Sequence, residues 1–250
     1  MLGWWKKASL GNWQTLEIAG HPVHYWNPVR RSGRDALLYL HDEDAAPWSS
    51  LPGSEEFLQA LGWPVVCPQA GATWWLDRLV PTFDPHLSPQ GWLLEHVLPW
   101  IQNTLEVAPR SVALLGKGMG GQGALQLGLT RGDLFPVVVS LQASIAFEQL
   151  YGRGTMLDHC FSSPEQCRQY TAGMLIQPRQ VAASLALLAH PCDPVWFRGN
   201  DRLHEKLRAL GISHEARLEG DGTPTWWKEQ LCFALEYIQK AMQAEHRRLL

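Results

Sequence analysis

Two hundred and fifty residues suffice for one large domain with a deep core, and nothing in the chain reads as a linker. Charged residues make up only 18% of it and the net charge is -3, which leaves no basic field for nucleic acid or anionic lipid. Thirteen tryptophans point instead to a large core, an aromatic pocket or a sticky interface.

At the start, residues 1–7 are not followed by the apolar stretch of a signal peptide. No later run approaches the roughly 20 apolar residues of a membrane helix. Two alternating runs between Trp13 and Trp26 flank Ala19-Gly20-His21 and predict a hairpin. Ala36 to Leu40 reads as an apolar strand ending at His41-Asp42, and Glu55 to Gly62 as a helix before a strand over Pro64 to Cys67. Between Ser88 and Glu106 the spacing of Leu93, Leu94, Val97, Leu98 and Ile101 predicts a helix that Ser88-Pro89 opens. A strand over Ser111 to Leu115, a glycine-rich turn, a helix from about Gly121 to Thr130 and a strand over Phe135 to Ser140 follow. That order requires a right-handed parallel crossover. Residues 143–179 are irregular and predict an insertion over the sheet. A strand over Ala183 to Ala189, a helix near Leu203 to Leu210, a strand over His214 to Glu219 and a helix from about Thr225 complete a single domain, residues 1–250.

Cys67, Cys160, Cys167, Cys192 and Cys232 are odd in number and irregular in spacing, which fits neither a disulfide framework nor a zinc ribbon. The expectation is a reducing cytoplasm, with Cys160 and Cys167 as structural thiols that could pair under oxidation. His190, His204 and His214 carry no metal spacing and read as surface or satisfied histidines. No metal or cofactor is expected.

The most informative segment runs from Ser111 through Gly116-Lys117-Gly118-Met119-Gly120-Gly121-Gln122-Gly123 to Leu125. A strand passing through clustered glycines into a helix is the setting of a G-x-S-x-G nucleophile elbow, but the central residue is Gly118, which offers no nucleophile. Phosphate binding by such a turn is weakened because the pattern is neither a P-loop nor a clean G-x-G-x-x-G, and because the next strand ends in Ser140 without an acid.

Gly116 to Leu125 resembles the G-H-S-M-G-G-x-G-A-L elbow of esterase D and S-formylglutathione hydrolase relatives. It matches at Gly116, Met119, Gly120, Gly121, Gly123, Ala124 and Leu125 and departs at Lys117 and Gly118. Leu40-His41 resembles that family's L-H-G oxyanion strand. The resemblance implies an α/β-hydrolase fold: a mostly parallel central sheet with helices on both faces and an antiparallel N-terminal hairpin. It also implies a triad in the order serine, acid, histidine. The acid falls at Asp193, or one residue on at Pro194. In the histidine region, Gly220 to Trp227, proline or threonine stands, with Pro224 at the family position. The triad positions Gly118, Asp193 and Pro224 are thus degenerate, and no catalytic residue set is intact. The oxyanion hole would use the backbone N–H groups of Met119 and Asp42, and pocket walls are expected from His41, Trp74, Trp75 and Trp226, with Trp196 and Trp227 as further members of an aromatic ligand pocket at the carboxyl ends of the strands. The rival reading of these tryptophans is core packing.

A substitute nucleophile could be Cys67 beside His41, although a cysteine at a strand end is usually core. The expected function is a non-catalytic ligand-binding or interaction protein derived from a serine esterase. The alternative is a weak carboxylesterase or thioesterase on small acyl esters with an unidentified nucleophile. A small-molecule ligand or a protein partner is expected, with no nucleic acid or membrane; a homo-oligomer stays open.

Overall fold

The computed structural model describes residues 11–249, so residues 1–7 discussed above lie outside the described residues. Among the described residues, eight strands form one sheet: β1 (Gly11–Ile18), β2 (His21–Pro28), β3 (Ala36–Leu40), β4 (Val65–Pro68), β5 (Val112–Lys117), β6 (Val137–Leu141), β7 (Ser184–Leu188) and β8 (Glu215–Arg217). Their order is β1-β2-β4-β3-β5-β6-β7-β8. The first pairings, β1 with β2 and β2 with β4, are antiparallel, and every other neighbour pair is parallel. Ala19 and Gly20, at φ of 50° and 81°, make the tight turn of the opening hairpin, whose twist suits antiparallel strands.

Strands β3, β5 and β6 lie in the middle, and helices cover both faces, which is why they read as unbroken apolar runs. Alternate residues go to opposite cores. Leu38, Leu40, Leu114 and Val138 face one, together with the apolar stripe Leu93, Val97, Leu98 and Ile101. Leu37, Tyr39, Leu115 and Val139 face the other, beneath α1 (Ser54–Leu61) and the long C-terminal helix. Each such side chain contributes about 1.5–3 kcal/mol on burial, so register is fixed by the period of two.

The helix predicted after Ser88 is α2 (Pro89–Trp92) and α3 (Leu98–Thr104), joined by a π-turn over Leu93–Val97. Ser88 Oγ caps it by accepting the Gly91 N–H at 2.9 Å. Pro99 has no N–H for the carbonyl four residues back, and the helix widens just before it. The elbow leads into α4 (Met119–Thr130). Residues 143–179 fold into short pieces, including α5 (Leu157–Cys160) and α6 (Pro164–Gln169), with Cys160 and Cys167 buried and unpaired.

Two boundaries differ from expectation. The helix expected near Leu203 is α7 (Pro194–Ala209) and begins nine residues earlier. There Asp193 caps it by accepting the Trp196 N–H at 3.3 Å, with Pro194 in its first turn, so an Asp-Pro start signal outweighs weak apolar periodicity. The last strand is only Glu215–Arg217, and α8 (Pro224–Leu249) starts at the proline itself.

Candidate functional site

At the carboxyl end of β5, Gly118 adopts φ 54° and ψ -117° before α4 begins at Met119. Positive φ with this ψ is costly for any residue with a Cβ and open to glycine. The turn is fixed by its neighbours: Gly118 N–H donates to Leu141 O at 2.9 Å, and Gly118 O accepts from Gln122 N–H and Ser144 N–H at 3.1 and 2.9 Å. A Cβ at Gly120 would overlap the carbonyl of Leu40, so this glycine lets α4 press directly onto the end of β3.

The Asp42 side chain occupies the space in front of this turn. A Cβ at Gly118 would overlap all three atoms of the Asp42 carboxylate. Asp42 Oδ1 accepts the Met119 N–H at 2.9 Å and the Glu43 N–H at 2.8 Å, while Oδ2 pairs with Lys117 Nζ at 2.8 Å. Asp42 was expected to lend a backbone donor to an oxyanion hole; what meets the elbow amide in the structure is its side chain, whose Oδ1 lies on the Met119 N–H. The Met119 amide, the other expected donor, is taken up by this internal carboxylate.

In front of Asp42 opens a cavity of about 540 Å³, within the range of small-molecule sites. Its walls carry Asp42, Glu43, Asp44 and Asp193, the Lys117 ammonium, Ser144, Gln142, His190, and the indoles of Trp196 and Trp227. Lys117 Nζ also lies 5.9 Å from the centre of the Trp227 ring.

The expected pocket residues His41, Trp74, Trp75 and Trp226 do not line this cavity. Trp74 and Trp75 are fully buried; Trp75 Nε1 donates to His41 O at 3.1 Å, and the Trp74 ring stacks at a tilt against Phe147. Trp226 Nε1 donates to Glu219 O at 2.8 Å and its ring meets His190 edge-on, so it supports the wall from behind. These indoles each have a structural hydrogen bond or packing role that holds them in the core. His41, 1% exposed, donates from Nδ1 to Asp42 O at 2.7 Å and accepts the Ala70 N–H on Nε2 at 3.1 Å. Burial pushes its pKa down. Both nitrogens being committed, His41 has none free for Cys67, whose thiol is fully buried and pushed far up by desolvation.

Beyond β7 and β8, the loops expected to carry the acid and the histidine meet the same cavity through Asp193 and Trp227. Asp193 lies on its wall as the α7 cap, whereas Pro224 is in the first turn of α8. The imidazole near the histidine region comes from a residue that the sequence reading set aside. The ring of His190, at the end of β7, lies against Gly222, so close that a Cβ there would overlap its Cε1. His190 is buried, and its Nδ1 has no hydrogen-bond partner; the expectation of a surface or satisfied histidine fails here. It holds for His204 and His214, which bond to each other at 2.8 Å. Trp196 and Trp227, which the sequence also offers for an aromatic pocket, do line the cavity, whereas Lys117 is marked in the sequence only as a departure from the family elbow.

The sequence model of the family described as "Putative esterase" matches residues 85–235. No curated protein matches the chain at the sequence level. Among solved structures, the fold is similar to FphF, a fluorophosphonate-binding serine hydrolase of Staphylococcus aureus, at TM-score 0.73 and 14% identity, covering 91% of this chain and 98% of that one. It is similar to Mycobacterium tuberculosis MPT51 at TM-score 0.72 and 18% identity, covering 92% and 99%. An S-formylglutathione hydrolase of Agrobacterium tumefaciens superposes at TM-score 0.67 with 15% identity, covering 91% and 94%.

Proposed function

Since this chain belongs to the esterase family whose model spans residues 85–235, we propose that it uses the esterase scaffold to bind a small ligand and does not hydrolyse esters. One observation carries the reading. At the elbow, the Asp42 carboxylate stands in the volume a nucleophile side chain would need and holds the Met119 N–H at 2.9 Å. Acyl transfer by the elbow requires a nucleophile at position 118 and a free donor for the developing oxyanion. Here the first is missing and the second is occupied by a negative charge, which would oppose an oxyanion.

The alternative, a weak carboxylesterase or thioesterase on small acyl esters, rests on Ser144 and His190 lining the same cavity. Against it, His190 Nδ1 has no partner, and the one elbow amide that could serve an oxyanion is occupied. Hydrolysis of p-nitrophenyl acetate by the native chain separates the two. Release at the rate of buffer alone supports the binding reading. Turnover well above buffer that disappears in Ser144→Ala overturns it.

A further inference from the structure

An esterase site presents hydrogen-bond donors to a substrate carbonyl. In this chain the corresponding face presents acceptors, because the elbow amide is capped by Asp42 and the surrounding wall is dominated by carboxylates. Asp42, Glu43, Asp44 and Asp193 face the cavity against a single ammonium, Lys117. The Lys117 charge is taken up by Asp42 Oδ2 at 2.8 Å. Glu43, Asp44 and Asp193 form no ion pair among the described residues; Asp44 accepts the Ala46 N–H and Asp193 the Trp196 N–H through one oxygen each, and the charge of all three has no cation of the chain beside it.

Two further observations, independent of the acidic residues, point the same way. Trp196 and Trp227 line the cavity, and indole rings attract cations through the ring quadrupole. The chain already uses one of them so, with Lys117 Nζ held 5.9 Å from the Trp227 centroid. In addition His190, only 9% exposed on the same wall, keeps a buried Nδ1 without a partner. A buried ring nitrogen left unsatisfied is costly unless a ligand or water meets it, and as an acceptor it suits an N–H donor.

Carboxylates, indoles and an imidazole with one unsatisfied nitrogen around one cavity lead us to infer that its ligand is a small organic cation with an alkylammonium head. This rests on the binding reading above. Aromatic walls favour an organic cation over a metal ion, and among the described residues no three His, Cys, Asp or Glu side chains are grouped to hold a metal. The volume of about 540 Å³ leaves room for an organic body behind the charged head.

The test is isothermal titration of the full chain with butylammonium chloride, tetramethylammonium chloride, sodium butyrate and calcium chloride at one low ionic strength. The expected result is saturable binding of one or both ammonium ions, no binding of butyrate, and at least ten-fold weaker ammonium binding in Glu43→Gln/Asp44→Asn/Asp193→Asn. Asn keeps an N-cap at position 193, and a melting curve confirms that the variant is folded. Trp196→Ala provides a second variant, expected to weaken ammonium binding without changing the charge. Butyrate binding as tightly as butylammonium, calcium binding more tightly than either ammonium, no ammonium binding up to high millimolar concentration, or ammonium binding unchanged in both variants would each overturn the inference. The same preparations are assayed with p-nitrophenyl acetate. Failure of cation binding without turnover removes only the ligand class, whereas turnover removes the binding reading itself.

Discussion

Restoring a serine at the elbow tests the internal carboxylate most directly. Gly118 has φ 54° and ψ -117°, where a residue with a Cβ is strained by about 1–3 kcal/mol. In this chain the new Cβ would also overlap the Asp42 carboxylate, which must then leave. Its departure forfeits the charge-assisted bond from Met119 N–H at 2.9 Å and the half-buried pair with Lys117 at 2.8 Å. The first is worth about 1.5–3 kcal/mol. The second, open to solvent screening, is worth about 0.2–1 kcal/mol. Gly118→Ser should therefore cost about 3–7 kcal/mol in all, a fall in melting temperature of at least about 6 °C for a chain of this size. In an Asp42→Ala background only the backbone strain is left, so the same serine should cost about 1–3 kcal/mol. A double-mutant cycle by urea unfolding then yields a coupling of about 2–4 kcal/mol between positions 42 and 118. Additivity to within about 0.5 kcal/mol would refute the reasoning, since residues in steric conflict cannot act independently.

Other sites give sharper single measurements. Burial lowers the His41 pKa from its ordinary value of 6.5, so as pH falls the unfolded chain takes the proton first. His41 therefore contributes stability that is present above pH 6.5 and is lost as pH falls toward its lowered folded value. The urea midpoint should drop between about pH 7 and pH 5, and His41→Asn should flatten that part of the profile; an unchanged slope would remove His41 as its source. Gly120→Ala sets a Cβ into the Leu40 carbonyl, backbone against backbone, and should cost more than about 3 kcal/mol or leave the protein insoluble. Gly152→Ala meets nothing within 4 Å and carries only the strain of φ 79°, so about 1 kcal/mol is expected; equal losses at the two glycines would contradict the packing described. Iodoacetamide at neutral pH should label the exposed Cys192 and Cys232 and spare the buried Cys67, whose thiol is pushed far up. Peptide mapping that finds Cys67 alkylated as fast as Cys232 would reopen it as a nucleophile.

How far the sequence could be read depends on whether a feature is local. The parallel crossover around β5 and the hairpin at Ala19-Gly20 announce themselves, because period and turn chemistry are properties of a few consecutive residues. The start of α7 is equally local, in Asp193-Pro194, but the first turns of this helix bury few side chains and so carry little apolar periodicity to extend it back from Leu203. The indoles were a different problem. Trp74 and Trp227 look alike in a sequence, and only the path of the chain decides that one packs against Phe147 while the other faces the cavity. His190 was misjudged for the same reason: it follows β7, in the loop expected to hold the acid, yet its ring lies against Gly222 in the loop expected to hold the histidine.

The contact at the elbow is present in the sequence as pieces that have no evident relation there. Asp42 stands where the L-H-G strand has its glycine, and Lys117 and Gly118 are the two departures within the elbow. In the fold these three are mutual neighbours. Asp42 bonds Lys117, and its carboxylate takes the volume that Gly118 leaves empty. Any one alone would be costly: a carboxylate at position 42 would collide with a serine, and without Lys117 its charge would be less well compensated beside the cavity. Together they satisfy one another, and the vacancy at Gly118 becomes the space that lets a negative group cap the elbow. Gly118 is therefore one part of a three-residue contact, and a serine placed there alone should destabilise the fold.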